Sequence, residues 1–322
     1  MKKIVSLLLI LIMVSCYDDY IFDYEFDGVY FAYPVNVRTL VVGEGMQIKF
    51  GVSLGGVREN NRDRIVEFQI DNSLITPAIL NKMKVGEGYI QQGVNGVTEL
   101  KPLPASWYSL SDNQKFVIKK GDHSGAVTLK ADSALFLADT ATINATYALA
   151  VRIVKADADS VIQPKSYSVI GLRYENMLFG NYWHGGVTEV KDASGTLLET
   201  ISYPTYIPSP DILAWKLTTV APNKLVINGV SNVTSTKSEF AITKDGNNIM
   251  VSSVEGATYE VLPDGPSTFN ASRLLQERKI FLKYKYQNEQ GNWCHARDTL
   301  TFRNRIRDGV NEWQDENPEN YK

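Results

Sequence analysis

The sequence is poor in the residues that most often carry catalysis. It holds three histidines and two cysteines among 322 residues. Cys294 and His295 are neighbours in a predicted strand, so their side chains point to opposite faces and cannot form a nucleophile–base pair. His123, His184 and His295 are scattered, without the helical spacing that would bring two zinc ligands together. These patterns predict a protein that is not an enzyme and that needs no metal or cofactor.

Carboxylates are the other candidates for chemistry, because glycoside hydrolysis uses two of them about 5–9.5 Å apart. The chain has 36 acidic residues, so pairs at that separation arise by chance and do not identify a site. Asp71, Glu189 and Asp298 are candidates, and nothing in the sequence ranks them.

Aromatic side chains favour a binding site instead. Sugar rings stack their C–H faces on Trp and Tyr, while amides and carboxylates bind the hydroxyl groups. The candidate ligand-binding residues are Trp293, Tyr206, Trp183, His184 and Trp215. Tyr206 lies in a proline-spaced loop, and loops carry function more often than strands do. The alternative is that these rings pack in a core, which we expect first for Trp183 and Trp215.

The charge balance excludes one class of partner. The chain has 33 Lys and Arg against 36 Asp and Glu, a net charge of −3. Since there is no basic surplus to neutralise phosphates, the sequence does not favour general nucleic-acid binding. The length of 322 residues favours two domains, because domains usually contain about 100–200 residues.

The first residues predict export from the cytoplasm. Lys2 and Lys3 precede an apolar run at residues 4–14. A positive start, a short apolar core and a small residue before the cleavage point are typical of a secretory signal. The run is about half as long as a membrane-spanning helix requires. We therefore expect a signal peptide at residues 1–15.

Residues 13–16, Met-Val-Ser-Cys, resemble the lipobox of bacterial lipoproteins, in which the cysteine becomes the acylated first residue. The resemblance implies lipidation of Cys16 and a tether at residues 16–24. The acidic pair within residues 17–20 resembles the surface-export signal of Bacteroidota lipoproteins. The alternatives are an ordinary signal followed by an incidental cysteine, and a tether whose acids are merely solvated.

Residues 25–175 predict an antiparallel β-sandwich. Residues 46–54 alternate apolar and polar side chains with a period of two, as a half-buried strand does. Further short strands are predicted at residues 27–33, 64–70, 115–119, 125–130, 146–154 and 167–174. Strands with one apolar face need a second sheet to cover them, which is the reason for a sandwich. A short helix is expected at residues 78–85, inside a long loop.

Three segments of this region, at residues 103–110, 116–121 and 147–153, resemble an Ig-like domain of unknown function. That domain begins many surface lipoproteins of Bacteroidota glycan-utilisation systems, and it also precedes some endo-acting glycosidases. The resemblance implies an Ig-like sandwich that lifts a distal domain away from the membrane.

Residues 176–307 predict a second antiparallel β-domain, either a barrel or a sandwich. Asp245 and Gly246 mark a tight hairpin, because this dipeptide accepts the positive φ that such turns need. The run Gly-Asn-Tyr-Trp at residues 180–183, followed by hairpins, resembles a calycin-type, lipocalin-like barrel. The acidic tail at residues 308–322 is expected to fray.

Together these patterns predict an all-β, lipid-anchored protein on the outer membrane, facing the cell exterior. Its predicted function is non-enzymatic glycan binding as an accessory of an oligosaccharide uptake system, with the transporter and neighbouring lipoproteins as partners. Two alternatives stay open. One is a structural subunit that binds such a partner, and the other is a calycin-like carrier of a small apolar ligand.

Overall fold

Two β-rich units follow each other along the chain. The structure is a computed structural model that describes residues 26–204, 213–233 and 238–315. Within these residues strands dominate, and three short α-helices and a few single 3-10 turns interrupt them. The prediction of an all-β architecture is confirmed. No helix in these ranges is long and apolar enough to cross a membrane.

The first unit is a sandwich of two sheets within residues 26–176. Its strands are β1 (Gly28–Tyr30), β2 (Val35–Val42), β3 (Gln47–Gly55), β4 (Arg64–Ile70), β5 (Lys101–Pro102), β6 (Tyr108–Leu110), β7 (Lys115–Ile118), β8 (Ser124–Ala131), β9 (Tyr147–Ala156), β10 (Ser160–Val161) and β11 (Tyr167–Asn176). One sheet has the order β10-β1-β3-β8-β6. The other has the order β2-β11-β9-β4-β7, with β5 beside β9.

The core of the sandwich lies between the two sheets. Phe116 stacks on Phe68 with ring centroids 4.4 Å apart, and the rings of Phe31 and Phe50 meet it edge-on. Burying one such side chain contributes about 1.5–3 kcal/mol. Cys294 is a free cysteine, and no disulfide joins the described residues, so apolar packing holds this unit together.

Helices cover the outer face of the second sheet. They are α1 (Pro77–Lys84) and α2 (Gly88–Gly93), while α3 (Ser133–Ala138) lies elsewhere on the sandwich. Thr76 caps α1, since its Oγ1 accepts from the backbone N–H of Ile79. The buried face of α1 packs with Val37, Ala148 and Val169 of the sheet. β9 and β11 are therefore buried on both faces, which explains their almost continuous apolar sequence.

The second unit begins after Asn176. Its strands are β12 (Gly180–Lys191), β13 (Leu197–Tyr203), β14 (Leu213–Ala221), β15 (Lys224–Ile227), β16 (Phe240–Asp245), β17 (Asn248–Ser253), β18 (Leu262–Pro263), β19 (Ser267–Phe269), β20 (Lys279–Gln287), β21 (Trp293–Arg307) and β22 (Val310–Glu312). The Asp245–Gly246 hairpin is confirmed, because Asp245 pairs with Asn248 and Gly246 has φ +58°.

These strands close into a barrel. In the described part of the chain, eight strands run in sequence from β12 through β14, β15, β16, β17, β19 and β20 to β21, and β12 pairs with β21 to complete the ring. The interior is filled by large side chains that are fully buried, including Trp215, Phe240 and Tyr284. Of the two architectures expected for this region, the structure has the barrel.

One wall of the barrel is an interrupted strand. β13 and β14 both pair antiparallel with β12. β13 pairs with residues 186–191 of β12, and β14 pairs with residues 180–184. Tyr203 pairs with Gly186, and Leu213 pairs with His184. β13 and β14 are thus two pieces of a single barrel strand, separated in sequence by residues 204–212.

Buried ion pairs join the two units. Glu44, in the turn after β2, accepts from Arg278 at 2.7 Å and from Arg305 at 3.0 and 2.9 Å. Both arginines are about 0–1% exposed. Burial alone would raise the pKa of the Glu44 carboxyl, but the two guanidinium groups outweigh it and hold the pKa below its usual value. We call Glu44, Arg278 and Arg305 the interdomain triad.

The acidic tail is ordered at its start, contrary to expectation. β22 pairs with β21 through Val310–Glu312. Glu312 forms ion pairs with Arg305 and Arg307, and Asp315 accepts from the backbone N–H of Leu275. The acidic composition predicted fraying, but the carboxylate of Glu312 pairs with arginine side chains of the barrel, and that of Asp315 accepts from a backbone N–H of the barrel. Residues 316–322 lie outside the described part.

Candidate functional site

A cleft opens where the barrel meets the sandwich. It has a volume of about 640 Å³. The sandwich contributes β2, α2 and β11 to its lining, and the barrel contributes β12, β14 and the turn between β21 and β22. Small-molecule sites usually measure about 300–1,000 Å³, so this cleft has the size of a binding site for a ligand of a few rings.

Two residues of β11 form the floor of the cleft. Leu172 and Tyr174 belong to the sandwich core, so Arg173 and Glu175, which alternate with them, point the other way. Nη2 of Arg173 lies 3.0 Å from Oε1 of Glu175. The strand therefore presents a guanidinium and a carboxylate side by side.

This pair keeps unused hydrogen-bonding capacity. Glu175 is only 4% exposed. Its Oε2 and the Nε of Arg173 are buried without a hydrogen-bond partner among the described residues. Burial raises the pKa of Glu175 to about 7, and the charge of Arg173 offsets this only in part. Since buried polar atoms are nearly always paired, the floor has the character of a site for a polar ligand.

Aromatic rings supply the apolar part of the lining. The hydroxyl of Tyr89 donates to Oδ1 of Asn36 at 2.9 Å, which fixes the ring at the edge of α2. Gly309 lies against this ring with φ +80°, and a Cβ there would be 2.9 Å from it. The turn therefore requires glycine both for its conformation and for the close approach. Phe179 adds a second ring.

The charged residues that line the cleft are two cations and two anions. Lys216 of β14, paired with Asn181 of β12, adds a cation to that of Arg173. Asp308 adds an anion to that of Glu175. Oδ2 of Asp308 accepts from the Nε of Arg38 at 2.9 Å, which fixes the carboxylate. This balance does not favour a strongly charged ligand.

Trp183 lies next to the cleft. It follows Asn181 by two residues on β12, while Tyr182 and His184 are buried inside the barrel. Trp183 and Asn181 therefore share the outer face, about 7 Å apart along the strand. The guanidinium of Arg303 lies over the Trp183 ring, 4.4 Å from its centroid. Trp183 itself is not part of the lining, but it shares a strand face with Asn181, which is.

Trp293 lies far from the cleft. It begins β21, eight residues before Thr301, which pairs with Trp183. At about 3.3 Å per residue the two tryptophans are about 26 Å apart along the strands. The ammonium of Lys285 covers the Trp293 ring at 5.1 Å. Tyr206 lies outside the described residues, so its role stays a prediction.

His184 and Trp215 face the barrel interior and are fully buried. Their rings stack with centroids 3.5 Å apart. The Nδ1 of His184 and the indole Nε1 of Trp215 have no hydrogen-bond partner among the described residues, and the Nε2 of His184 lies 3.3 Å from Oδ2 of Asp298. Both residues were candidates for ligand contact, and the structure instead places them in the core, because alternate residues of β12 and β14 point inward.

Asp298 is the centre of a buried polar cluster inside the barrel. The hydroxyls of Tyr203 and Tyr284 donate to its two oxygens, each at 2.5 Å. Thr188 and Ser231 extend the cluster, with their hydroxyl oxygens 2.6 Å apart. Burial first and the charge of Asp298 second raise the pKa of both tyrosines. Both phenols therefore stay protonated, and each donates a hydrogen bond to the carboxylate of Asp298.

The carboxylates considered for glycoside hydrolysis do not converge. Asp71 lies on the sandwich and accepts from the Nε of Arg152 at 2.8 Å. Glu189 is paired with Lys191 on the outer face of β12, whereas Asp298 is inside the barrel. In the ranges that the structure describes, no group of three His, Cys, Asp or Glu side chains could hold a metal ion.

The sequence also contains a Gly-x-Ser-x-Gly pattern, which is typical of a hydrolase nucleophile. Residues 51–55 read Gly-Val-Ser-Leu-Gly, the spacing of a nucleophile turn between a strand and a helix. Ser53 instead lies within β3, paired with Tyr30 on one side and Ser124 on the other. A serine inside a paired strand lacks the exposed turn that such a nucleophile requires, so the pattern marks no site.

Comparison with known proteins bears on the fold. A family model described as an N-terminal domain matches residues 22–160. No curated protein matches the chain. A Bacteroides ovatus protein of unknown function is 18% identical over 91% of this chain and 99% of its own, with a TM-score of 0.62. Another from the same organism is 11% identical over 90% and 100% of the two chains, with a TM-score of 0.40. Residues 22–160 thus match a family of N-terminal domains, and the chain shares the fold of the first of these Bacteroides ovatus proteins.

Proposed function

We propose that the protein is a non-enzymatic cell-surface lipoprotein that binds a glycan as an accessory of an oligosaccharide uptake system. The observation that carries this proposal is the cleft between the two units. It combines the rings of Tyr89 and Phe179 with an amide and with charged groups that have unused hydrogen-bonding capacity. Sugars offer C–H faces to aromatic rings and hydroxyls to amides and carboxylates, so this mixture of groups matches them.

Under this proposal the N-terminal unit is a spacer that carries the cleft away from the membrane. The lipid would be attached at Cys16, and β1 begins at Gly28. A tether of nine residues, 16–24, spans at most about 30 Å when fully extended. The cleft would then stand at the cell exterior, where it could capture oligosaccharides for a neighbouring transporter.

Removal of the Tyr89 ring is expected to weaken glycan binding. We expect Tyr89→Ala to lower the affinity by tenfold or more, which corresponds to about 1.4 kcal/mol, because the sugar loses its stacking surface. Isothermal titration calorimetry against a panel of plant and host oligosaccharides measures this, after thermal unfolding has shown that the variant is folded. Trp183→Ala is expected to weaken the binding of longer oligosaccharides more than that of short ones.

Trp293→Ala is the matched control for these variants, since it removes a partly exposed indole far from the cleft. Its affinity is expected to equal that of the unaltered protein. A Tyr89→Ala variant that binds as tightly as the control, or a protein that binds no glycan across the panel, would contradict the proposal.

Loss of the proposed acylation site should release the protein from the membrane. With Cys16→Ser we expect the protein in the soluble fraction, because no other lipid attachment is predicted from the sequence. Fractionation of cells and metabolic labelling with a palmitate analogue measure this. A Cys16→Ser protein that remains labelled and membrane-bound would show that the anchor lies elsewhere.

A second candidate function is that of an assembly subunit. The β21–β22 hairpin and the residue after it expose three large apolar side chains, Ile306, Val310 and Trp313, each about 58–60% accessible. Apolar side chains exposed together often mark contacts with other proteins. Crosslinking in intact cells separates this function from glycan capture. The third alternative, a carrier of a small apolar ligand, is not favoured because large side chains fill the barrel interior.

A further inference from the structure

The Arg173–Glu175 pair in the floor of the cleft has a specific hydrogen-bonding requirement. We propose that it recognises two neighbouring hydroxyl groups of a neutral sugar ring and so sets the class of ligand; this rests on the function proposed above. Arg173 and Glu175 are therefore specificity-determining residues, and a carboxylate or an ammonium group is excluded from the position that they contact.

The unpaired atoms define what the ligand must offer. The Oε2 of the ionised Glu175 carboxylate can only accept a hydrogen bond, and the Nε–H of Arg173 can only donate one. Both atoms are buried and unpaired among the described residues. One further atom of each side chain already has a partner, because Nη2 of Arg173 lies 3.0 Å from Oε1 of Glu175. A ligand must therefore supply a donor and an acceptor close together.

Three ligand chemistries can be compared by this requirement. A carboxylate has only acceptors, so it would leave Oε2 unpaired and would be repelled by Glu175. An ammonium group has only donors, so it would leave the Nε–H of Arg173 unpaired and would be repelled by Arg173 and Lys216. A hydroxyl group both donates and accepts. Two adjacent hydroxyls satisfy both atoms without adding charge to a cleft whose charges already balance.

The protonation of Glu175 predicts a second property that can be measured, the dependence of ligand affinity on pH. Burial raises its pKa to about 7, while Arg173 on the same strand lowers it less strongly. Arg305 and Arg307 of β21 lower the pKa further, and Asp308 opposes them. A hydroxyl that donates to the carboxylate stabilises the charged form. Binding should then release a proton, and affinity should rise with pH.

The expected size of this pH effect follows from the fraction of Glu175 that is ionised. With a pKa of about 7, this fraction rises from about a tenth at pH 6 to about nine-tenths at pH 8. If only the carboxylate binds the diol, affinity should increase by up to about tenfold between these values.

The experiment compares uncharged and charged probes on the full chain. Titration calorimetry is carried out at pH 6 and pH 8 with cellohexaose, xylohexaose, mannohexaose and maltohexaose, and with oligomers of glucosamine. We expect at least one neutral oligosaccharide to bind, more tightly at pH 8. The glucosamine series, whose internal units carry an amine in place of one of the two adjacent hydroxyls, should not bind. Glu175→Gln should lose tenfold or more in affinity and should lose the pH dependence.

A stability measurement shows whether the Glu175→Gln variant is folded. The folded-state pKa lies above the unfolded value, so ionised Glu175 destabilises the fold at pH 8. Glu175→Gln should therefore unfold at a higher temperature than the unaltered protein at pH 8. Glu67→Gln, which alters an exposed carboxylate of β4, is the matched control and should change neither binding nor stability.

The outcomes separate the two proposals. If Tyr89→Ala loses binding but Glu175→Gln binds as the unaltered protein does, the glycan function stands and the diol assignment fails. Binding of glucosamine oligomers in the cleft would also overturn the assignment. If no probe binds to the unaltered protein, the proposed function and this inference both fail.

Discussion

Glu44→Gln is expected to lower the free energy of unfolding by about 3 kcal/mol or more. The substitution keeps the shape of the side chain and removes the charge that both arginines of the interdomain triad share. Breaking a buried ion pair from one side costs about 3–5 kcal/mol, because the remaining charge stays buried and uncompensated. Arg305 keeps its contact with Glu312, whereas Arg278 has no second carboxylate among its described partners. Urea denaturation followed by tryptophan fluorescence measures this loss.

The same variant should change the response to acid. The pKa of Glu44 is held below its ordinary value of 4.5 in the folded state. Its stabilising contribution is therefore fully present above about pH 4.5 and is lost as the pH falls through the folded-state value. The unaltered protein should lose stability over that range, and Glu44→Gln should show less of this loss. Glu67→Gln, on the exposed face of β4, is the control and should stay within about 0.5 kcal/mol. An unchanged urea midpoint for Glu44→Gln would refute the role of the triad.

Asp298→Ala is expected to lower the free energy of unfolding by about 3 kcal/mol or more. The change leaves the hydroxyls of Tyr203 and Tyr284 without their acceptor inside the barrel. Each hydrogen bond to a charged group contributes about 1.5–3 kcal/mol, and two are lost here. Thermal and urea unfolding of the full chain measure the effect. Circular dichroism of the aromatic side chains reports whether their packing is retained.

Two graded variants test this explanation. Tyr203→Phe removes one of the two hydrogen bonds and should cost about half as much as Asp298→Ala. Asp298→Asn keeps an acceptor for one tyrosine and should also cost less than the alanine variant. If Asp298→Asn were as damaging as Asp298→Ala, the negative charge and its neighbour His184 at 3.3 Å would matter more than the tyrosine hydrogen bonds.

β3 could be predicted because it buries one face and exposes the other. The period of two at residues 46–54 reflects the placement of β3 over a single core. β2 was not predicted, and its parallel partner β11 lies some 130 residues away in sequence. Pairing over such a distance leaves no local pattern, so composition and spacing could not indicate it.

The cleft could not be predicted, for a physical reason. Arg173 and Glu175 have the sequence character of ordinary surface residues at the end of a strand. In the structure Glu175 is buried and Arg173 is half-buried, in a cleft that residues of the barrel also line. The polar cluster of the barrel did leave a signal. Asp298 occupies the same phase of β21 as the buried Ala296, Leu300 and Phe302. A carboxylate in the apolar phase of an alternating strand indicates a buried hydrogen-bond partner, and this rule would have identified it.

The interrupted strand of the barrel has a consequence for how such proteins can diversify. Because β13 ends and β14 begins at adjacent levels of β12, the ring of strands closes whatever the length of chain between Tyr203 and Leu213. Lengthening a connection costs little, about 0.6 kcal/mol for each doubling of its length. Evolution can therefore exchange this insert, Tyr206 included, without altering any strand register. Descendants of one ancestor could acquire new surface chemistry on an unchanged barrel.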